Sequence, residues 1–499
     1  MLPRCHPIVR RQARRWGCPR LDSTLVAELT AHEKRRLDEL VARHRILTEL
    51  GERFGGAGHE IALVGGPVRD ALLGRPVTDL DFTTSARPEQ IEQALAGWAD
   101  STWDVGREFG TIAARKGDAT VEITTYRADE YDRDSRKPVV AFGDNLTDDL
   151  ARRDFTVNAM AVRLPSLEFV DVHGGLDDLA DRTIRTPVGP DVSFSDDPLR
   201  MMRAARFVAQ LGFIVAPDVA AAISAMADRI EIVSAERVRD ELNKLLLSED
   251  PVRGLRVLVD TGLAERVLPE LPALQLESDE HHRHKDVYEH SLTVLEQAID
   301  LEHRLEERPD LTIRLAALLH DIGKPKTRRF TGDGTVTFHH HDVVGAKLVR
   351  KRMRALRYPN DITDAVAKLV ELHLRFHGYG TGEWTDSAVR RYVRDAGDQL
   401  ERLHILTRAD CTTRNQRKAL RLQRTYDDLE ARIARLSAQE ELQSIRPDLD
   451  GNEIMEILQI GPGPEVGQAY RFLLDLRMDR GPLPRDQAVE ALQAWWAAR

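Results

Sequence analysis

Asp79 and Asp81 stand either side of Leu80 in "VTDLDFTT", and Glu122 sits in "TVEIT". In an extended chain alternate residues share a face, so the two aspartates point the same way while Leu80 turns to the core. Glu122, between Val121 and Ile123, likewise points away from the apolar side. Carboxylates gathered from two neighbouring strands repel one another unless a cation lies among them. Hard oxygen donors suit Mg²⁺, which also bridges nucleotide phosphates. Upstream, Gly65 and Gly66 end a short apolar strand, "EIALVGG", and open a helix with Pro67 in its first turn. Such a start lets a phosphate approach backbone N–H groups, with Arg69 one turn further on as a cationic clamp. An isolated Asp-x-Asp is weak evidence. The whole order of glycine pair, Arg-Asp and paired aspartates is specific, and it fits phosphate chemistry.

The elements that must hold these residues are of two kinds. Strand signals recur in "EIALVGG", "LDFTTS", "TIAARKG", "ATVEITTYR" and "LEFVDVHGG", and they end near residue 185. Residues 23–55 read as helical, and beyond 185 nearly every segment has helical periodicity, as in "DPLRMMRAARFVAQLGF" and "ERVRDELNKLLL". The exception is "TGDGTVTFHHH", which reads as a short hairpin. The fold class is therefore α+β, a head with a small mixed sheet followed by an all-helical body. A chain of 499 residues implies three or four domains. No apolar run approaches the roughly 18 residues of a membrane span, so no membrane partner is expected. The opening "MLPRCHPIVRRQARRWGCPR" is basic and lacks the apolar core of a secretory signal. Cys5, Cys18 and Cys411 show no CxxC spacing, which points to a reducing cytoplasm. Net charge is −10, yet six cations face one acid between Arg408 and Arg424, and "GAKLVRKRMRALR" is basic too. Local basic surface decides nucleic-acid binding, so RNA is compatible with the overall acidity.

The stretch "VGGPVRDALLGRPVTDLDFTT" (Val64–Thr84) resembles the signature of polymerase-β-type nucleotidyltransferases, in the branch holding bacterial CCA-adding tRNA nucleotidyltransferases and poly(A) polymerases. "DLARRDFTVNAMA" (Asp149–Ala161), "DDPLRMMRAARF" (Asp196–Phe207) and "SAERVRDELNKLL" continue that resemblance in order. It covers about residues 46–275. The resemblance implies two-metal phosphoryl transfer, with Asp79 and Asp81 holding Mg²⁺ and Glu122 as the third carboxylate. It places Gly65, Gly66, Arg69 and Arg153 against the nucleotide, while Asp154 and Asn158 order the ribose and the local fold. Asp197 and Arg200, three apart, are read as sharing a helix face begun by Pro198. A carboxylate accepts from the exocyclic amine of C or A, and an arginine donates to the ring; U and G present the opposite order. Members of the resembled family select CTP and ATP in this way. Arg203 and Arg206 extend the stripe toward phosphate or base. Asp196 stands where the family usually has Glu.

Further on, "DVYEHSLTVL" (His290), "LLHDIGKPK" (His320, Asp321), "FHHHDVVGA" (His341), "VELHLRF" (His373) and "LTRADCTTRN" (Asp410) resemble in order the ligand positions of the HD phosphohydrolase superfamily. A mixed imidazole–carboxylate set suits a divalent transition metal or Mg²⁺. His290, His320, Asp321 and Asp410 form the basic set, and His341 and His373 sit where dinuclear members carry a second ion. His281, His282, His284, His339 and His340 read as surface residues.

The organisation expected is a basic extension and lead-in helix at 1–45, a nucleotidyltransferase head at 46–185 and a helical neck at 186–275. An HD domain at 280–425 and a helical, tRNA-facing body at 426–499 follow. "GPGP" in the last segment reads as a helix-to-helix turn. The activity implied is template-independent building and repair of tRNA 3′-CCA from CTP and ATP, with no DNA partner expected. The alternatives are a poly(A) polymerase, a partial enzyme adding only CC or only A, and a metal phosphohydrolase with an RNA-binding head. The charged segment "RADEYDRDSRKPVVAFGDN" resembles the flexible loop of full CCA adders and favours the first reading.

Overall fold

The computed structural model describes residues 29–127, 142–143, 145–276, 286–332, 336–379, 384–413, 415–440 and 446–498. The N-terminal basic stretch with Cys5 and Cys18, the residues His281, His282 and His284, and most of the charged segment 127–145 lie outside them. The described residues group into two units, one reaching to Asp196 and including Ile214–Val219, the other holding Asp197–Phe213 and everything from Ala220.

The first unit is built on seven strands: β1 (Ile61–Val64), β2 (Leu80–Thr84), β3 (Ser101–Gly106), β4 (Thr111–Lys116), β5 (Ala119–Thr125), β6 (Met160–Leu164) and β7 (Phe169–Asp171). Their order across the sheet is β3-β4-β5-β2-β1-β6-β7. β2 and β5 run parallel and the other neighbours antiparallel, so the sheet is mixed, as the sequence suggests. β1 lies between β2 and β6 with all four residues buried, which accounts for its unbroken apolar run. Ala62 and Val64 pack with Tyr126, Leu146, Leu150, Ala159 and Ala161 beneath the segment that carries Arg153 and Asn158. Lead-in helices at Ala31–Arg43 and Ile46–Gly56 agree with the helical reading there. Strands do not end at 185, however: β8 (Thr183–Ile184) pairs in parallel with β9 (Ile214–Val215). A two-residue strand whose Ile214 is 65% exposed carries no periodic signal to read.

Among its described residues the second unit is helical apart from one hairpin. Helices Leu199–Leu211, Ala235–Leu246 and Pro251–Asp260 pack closely, because a Cβ on Gly254 would come within 2.6 Å of the Ala205 carbonyl oxygen. Helices Val287–Leu301, Leu311–Leu319, His341–Ala355, Asn360–Leu372 and Leu400–Ala409 follow. Arg314, buried, joins the last neck turn to this bundle. It donates to both oxygens of buried Glu302 at 2.7 and 2.8 Å and to the carbonyls of Leu246 and Ser248 at 2.7 Å. The expected hairpin is present as β10 (Arg329–Phe330) and β11 (Val336–Thr337). In the tail, helices Gly451–Leu458 and Pro464–Arg480 flank the GPGP turn, over a core that includes Leu449, Ile454, Leu473 and Leu492. No described helix is long and apolar enough to cross a membrane.

Candidate active site in the head and candidate metal centre in the helical unit

β2 and β5 bring the head carboxylates together. Parallel pairing sets Asp81 opposite Glu122, and Leu80, buried, opposite Val121. Asp79 falls just before β2 and is exposed, as is Glu122, while Asp81 is half-buried. Burial raises the Asp81 carboxyl above its ordinary range, and the nearby Glu122 and Asp79 push the same way against the pull of Arg153. Negative charge crowded in this manner fits a divalent cation, which would relieve it.

The glycine pair sits where the backbone requires it. Gly65 has φ 75° and ψ −129°, and helix Gly66–Leu73 starts immediately after it. A Cβ there would lie 3.1 Å from Arg153 Nη1. Arg153 itself is held by Asp149 at 3.2 Å, and its Nε is buried with no hydrogen-bond partner among the described residues. Burial favours a protonated Asp149, but Arg153 and Arg152 outweigh it and keep that carboxyl below the usual range. Arg69 is not a free clamp. It donates to Asp70 at 2.9 and 2.8 Å and to Asn158 Oδ1 at 2.6 Å, and Asn158 in turn donates to Asp154 at 3.0 Å. The Arg-Asp pair of the first motif therefore stitches its helix to the second motif.

Asp197 and Arg200 belong to the second unit. The helix begins at Leu199, with Pro198 as its cap, so Asp197 lies ahead of it and the shared helix face is corrected. Asp197 accepts from the Leu199 N–H at 3.1 Å and forms its ion pair with Arg237 Nη2 at 3.1 Å. Arg200 is buried in the helix's first turn. Arg206 is engaged as well: Nε lies 2.6 Å from Glu241, Nη1 donates to Gln210 at 2.9 Å, and Arg203 stands 3.7 Å from the same Glu241. Arg237 and Glu241 escaped the sequence reading, although "ERVRDELNKLL" spaces them four apart, one turn along a helix. Because Glu241 is only 3% exposed, Arg206→Ala removes the nearest partner of a buried charge and is expected to cost about 3 kcal/mol of stability. Chemical denaturation measures this, and a loss below about 1 kcal/mol would show that Arg203 and Lys244, each 3.7 Å from Glu241, suffice as partners.

All six ligand-type residues of the HD-like segment converge. His290 Nε2 is 2.9 Å from Asp410 and 3.6 Å from Asp321, and His320 Nε2 is 3.1 Å from Asp321 and 3.7 Å from Asp410. His341 Nε2 lies 3.3 Å from the other oxygen of Asp321. The His373 ring centroid is 5.3 Å from those of both His320 and His341. Two groups, His290–His320–Asp321 and Asp321–His341–His373, bring their donor atoms within 4.8 Å of one another, with Asp321 common to both. His339 and His340 are exposed, as read.

Each ring is turned by its other nitrogen. Nδ1 of His320, His341 and His373 donates to the carbonyls of Ala317, Phe338 and Val370 at 2.9, 2.8 and 2.6 Å, and His290 Nδ1 meets Thr412 Oγ1 at 3.2 Å. Every Nε2 is thereby pointed inward, because a hydrogen bond at one ring nitrogen fixes the tautomer and aims the other nitrogen toward a metal. Buried His373 Nε2 has no hydrogen-bond partner among the described residues. Burial, reinforced by His320, pushes the His373 imidazole down to about 4. Burial acts the same way on His320, but Asp321 and Asp410 reverse it and lift that ring to about 9. The pull that holds a proton there is the pull a metal ion would answer. Lys324 Nζ, 2.9 Å from Asp321, was not singled out, though it lies three residues along in "HDIGK".

The chain matches three family models: the poly A polymerase head domain over residues 61–185, the probable RNA and SrmB-binding site of polymerase A over 212–274, and the HD domain over 287–415. It is 35% identical over 446 residues to an A-adding tRNA nucleotidyltransferase of Deinococcus radiodurans, covering 87% of this chain and 95% of that one. It is 40% identical over 219 residues to the CCA-adding enzyme of Bacillus velezensis, covering 44% of this chain and 53% of the relative. The match to that enzyme thus spans about half its length. Among solved structures, the Bacillus stearothermophilus CCA-adding enzyme in complex with CTP superposes with a TM-score of 0.64 at 23% identity, over 94% of this chain and all of that one. The Thermotoga maritima CCA-adding enzyme complexed with tRNA gives 0.59 at 19%, over 93% and 98%. These two likenesses speak for the fold.

Proposed function

Because this chain belongs to the tRNA nucleotidyltransferase family, we propose that it completes and repairs the 3′-terminal CCA of tRNA from CTP and ATP. The observation that carries the reading is the in-register pair Asp81 and Glu122, with Asp79 one residue before the strand, beside a glycine-opened helix start. In the reaction the RNA 3′-hydroxyl gives up its proton to solvent as its oxygen bonds to the α-phosphorus, the bond from the α-phosphorus to the oxygen bridging to the β-phosphate breaks, and pyrophosphate leaves with that electron pair. Asp79 and Asp81 would hold Mg²⁺, which when bound would supply the positive charge that stabilises the triphosphate and the attacking oxygen. Glu122 completes the carboxylate set. Arg153, fixed by Asp149 against Gly65, orients the nucleotide, and the Gly65–Gly66 turn admits its phosphates to the backbone.

Asp197 and Arg200 choose the base. An acceptor beside donors complements C and A and leaves U and G mispaired. Asp197→Ala leaves the incoming amine unpaired, which costs about 1–3 kcal/mol, roughly 5- to 150-fold in discrimination. The expected result is lower kcat/KM with CTP and ATP and relatively more UTP or GTP, with Arg200→Ala behaving alike. Arg237→Ala separates the roles. If that variant changes the ranking of nucleotides as Asp197→Ala does, the carboxylate acts by bracing the neck and not by reading the base.

One observation favours a second reading, addition of the terminal A alone: the relative matched along nearly its whole length is an A-adding enzyme. A tRNA ending before CCA, offered labelled CTP and ATP separately and together, decides between them. Extension by CTP and then ATP to the full CCA end supports CCA synthesis, and no extension of that tRNA with extension by ATP of a second tRNA already ending in CC supports A addition.

For the helical unit we propose a divalent-metal phosphohydrolase site. His290, His320, Asp321 and Asp410 hold the first ion, and His341 and His373 join Asp321 at a second. The inward Nε2 atoms and the crowded carboxylates are what support it.

A further inference from the structure

The hairpin β10–β11 is tied at both ends to the metal centre. It begins eight residues after Asp321 and returns through Phe338, whose carbonyl orients His341. Lys324, paired with Asp321, lies 5.7 Å over the Phe338 ring. A Cβ on Gly323 would sit 2.0 Å from the His341 carbonyl oxygen, so the turn after the His-Asp pair is pressed against the helix that starts with His341. From Phe338, two residues of strand and one step across the ladder reach Phe330, a path of about 12 Å.

What this rim displays is unusual for a plain surface. Phe330 is 67% exposed, and Arg328 covers its ring at 4.7 Å. Lys326 and Arg329 are exposed, and no ion pair to an acid is found for either among the described residues. A second cationic run begins six residues after Asp410, where Arg417, Arg421 and Arg424 are exposed on helix Gln416–Glu440 beside Leu420, itself 56% exposed. The chain as a whole is acidic, at −10, so cations gathered at both exits from the metal ligands are a local feature. An exposed ring beside Lys326 and Arg329, cations with no acid partner among the described residues, is chemistry that holds single-stranded nucleic acid, the ring stacking on a base while the charges follow the phosphates. A protein partner would find little in a lone ring set among cations.

We propose that this hairpin is a rest for single-stranded RNA that presents a strand end to the metal centre, so that the site acts on RNA termini in preference to free nucleotides. The proposal builds on the phosphohydrolase reading. For a 3′-phosphorylated end, water oxygen bonds to phosphorus, the P–O bond to the ribose 3′-oxygen breaks, and a water proton ends on that oxygen.

The test uses full-length protein with Mn²⁺ and three probes: bis(4-nitrophenyl) phosphate, a nucleoside 3′-phosphate, and a single-stranded oligoribonucleotide ending in the same 3′-phosphate. The expected result is a kcat/KM for the oligonucleotide on the order of tenfold or more above that of the mononucleotide. Phe330→Ala and Arg329→Ala should each remove most of that preference, leaving bis(4-nitrophenyl) phosphate hydrolysis unchanged. Equal rates on the two 3′-phosphates, or variants that lower all three probes alike, overturn the proposal and leave the phosphohydrolase reading standing. If no probe is hydrolysed with Mn²⁺, nor with Mg²⁺, Ni²⁺ or Co²⁺ in its place, the phosphohydrolase reading fails, and photocrosslinking of a 5-bromouridine oligonucleotide decides for the hairpin. A crosslink within Arg328–Phe330 keeps it as an RNA rest, and a crosslink only elsewhere, or none, removes it.

Discussion

Asp81→Ala is expected to abolish nucleotide addition, by on the order of 10³-fold or more in rate, with Asp79→Ala close behind and tRNA binding largely retained. Asp81 stands opposite Glu122 on a half-buried strand position where burial and its neighbours already disfavour its charge. A carboxylate kept ionised in such a place calls for a nearby cation, and on the proposed reading that cation would be the Mg²⁺ that also neutralises the nucleotide's phosphates. Alanine would then remove one of its ligands and weaken the charge that stabilises the leaving pyrophosphate. The fold should survive, because Leu80 and Phe82, not Asp81, carry the strand's burial. Single-turnover addition of labelled nucleotide to tRNA ending before CCA measures the rate, and filter binding measures the RNA affinity. Near-normal addition by either variant would mean that these carboxylates are not the metal ligands.

The second large effect lies in the helical unit. His320→Ala combined with Asp321→Ala should remove all divalent-metal-dependent hydrolysis of phosphomonoesters and diesters while CCA addition stays within about twofold. Asp321 is common to both donor groups, so its loss dismantles each of them. The two sets of ligands belong to separate units of the fold, which is why the activities should part. Metal content by elemental analysis gives a readout independent of turnover. Wild-type protein should retain a transition metal through gel filtration and the double variant should not. Should wild-type protein hydrolyse no phosphate ester with Mg²⁺, Mn²⁺, Ni²⁺ or Co²⁺, the catalytic assignment is lost.

The head was legible where chemistry and periodicity coincide. "LDFTTS" and "TVEIT" alternate cleanly, so the strands and the common face of Asp81 and Glu122 followed from side-chain period alone. β3 was not singled out, since it is an edge strand whose residues are almost all exposed and whose sequence "STWDVG" carries no buried alternation. The six HD-type positions are legible through their resemblance to the HD superfamily, in which each further match in order adds specificity, and the structure brings the six side chains together. Arginine partners were the weak point. Arg69, Arg206 and Asp197 were each read by type, as clamp, phosphate contact and base reader, yet each has a close partner in Asn158, Glu241 or Arg237. A guanidinium's partner is chosen by tertiary packing over 35 to 89 residues of separation, and no local pattern records that.

Three of the four centre histidines take their orientation from a carbonyl three residues earlier in the same chain: Ala317, Phe338 and Val370. The aim of each of these imidazoles is therefore written into one short local turn, the last turn of a helix for His320 and His373 and the turn that enters a helix for His341. Such a ligand is portable. A helix end carrying the histidine with its own preceding turn arrives in any scaffold already in the right tautomer. The recipient has only to set the spacing between helix ends and supply a shared carboxylate in the place of Asp321. For a designer of binuclear centres, that reduces a problem of many coupled rotamers to one of placing rigid cartridges.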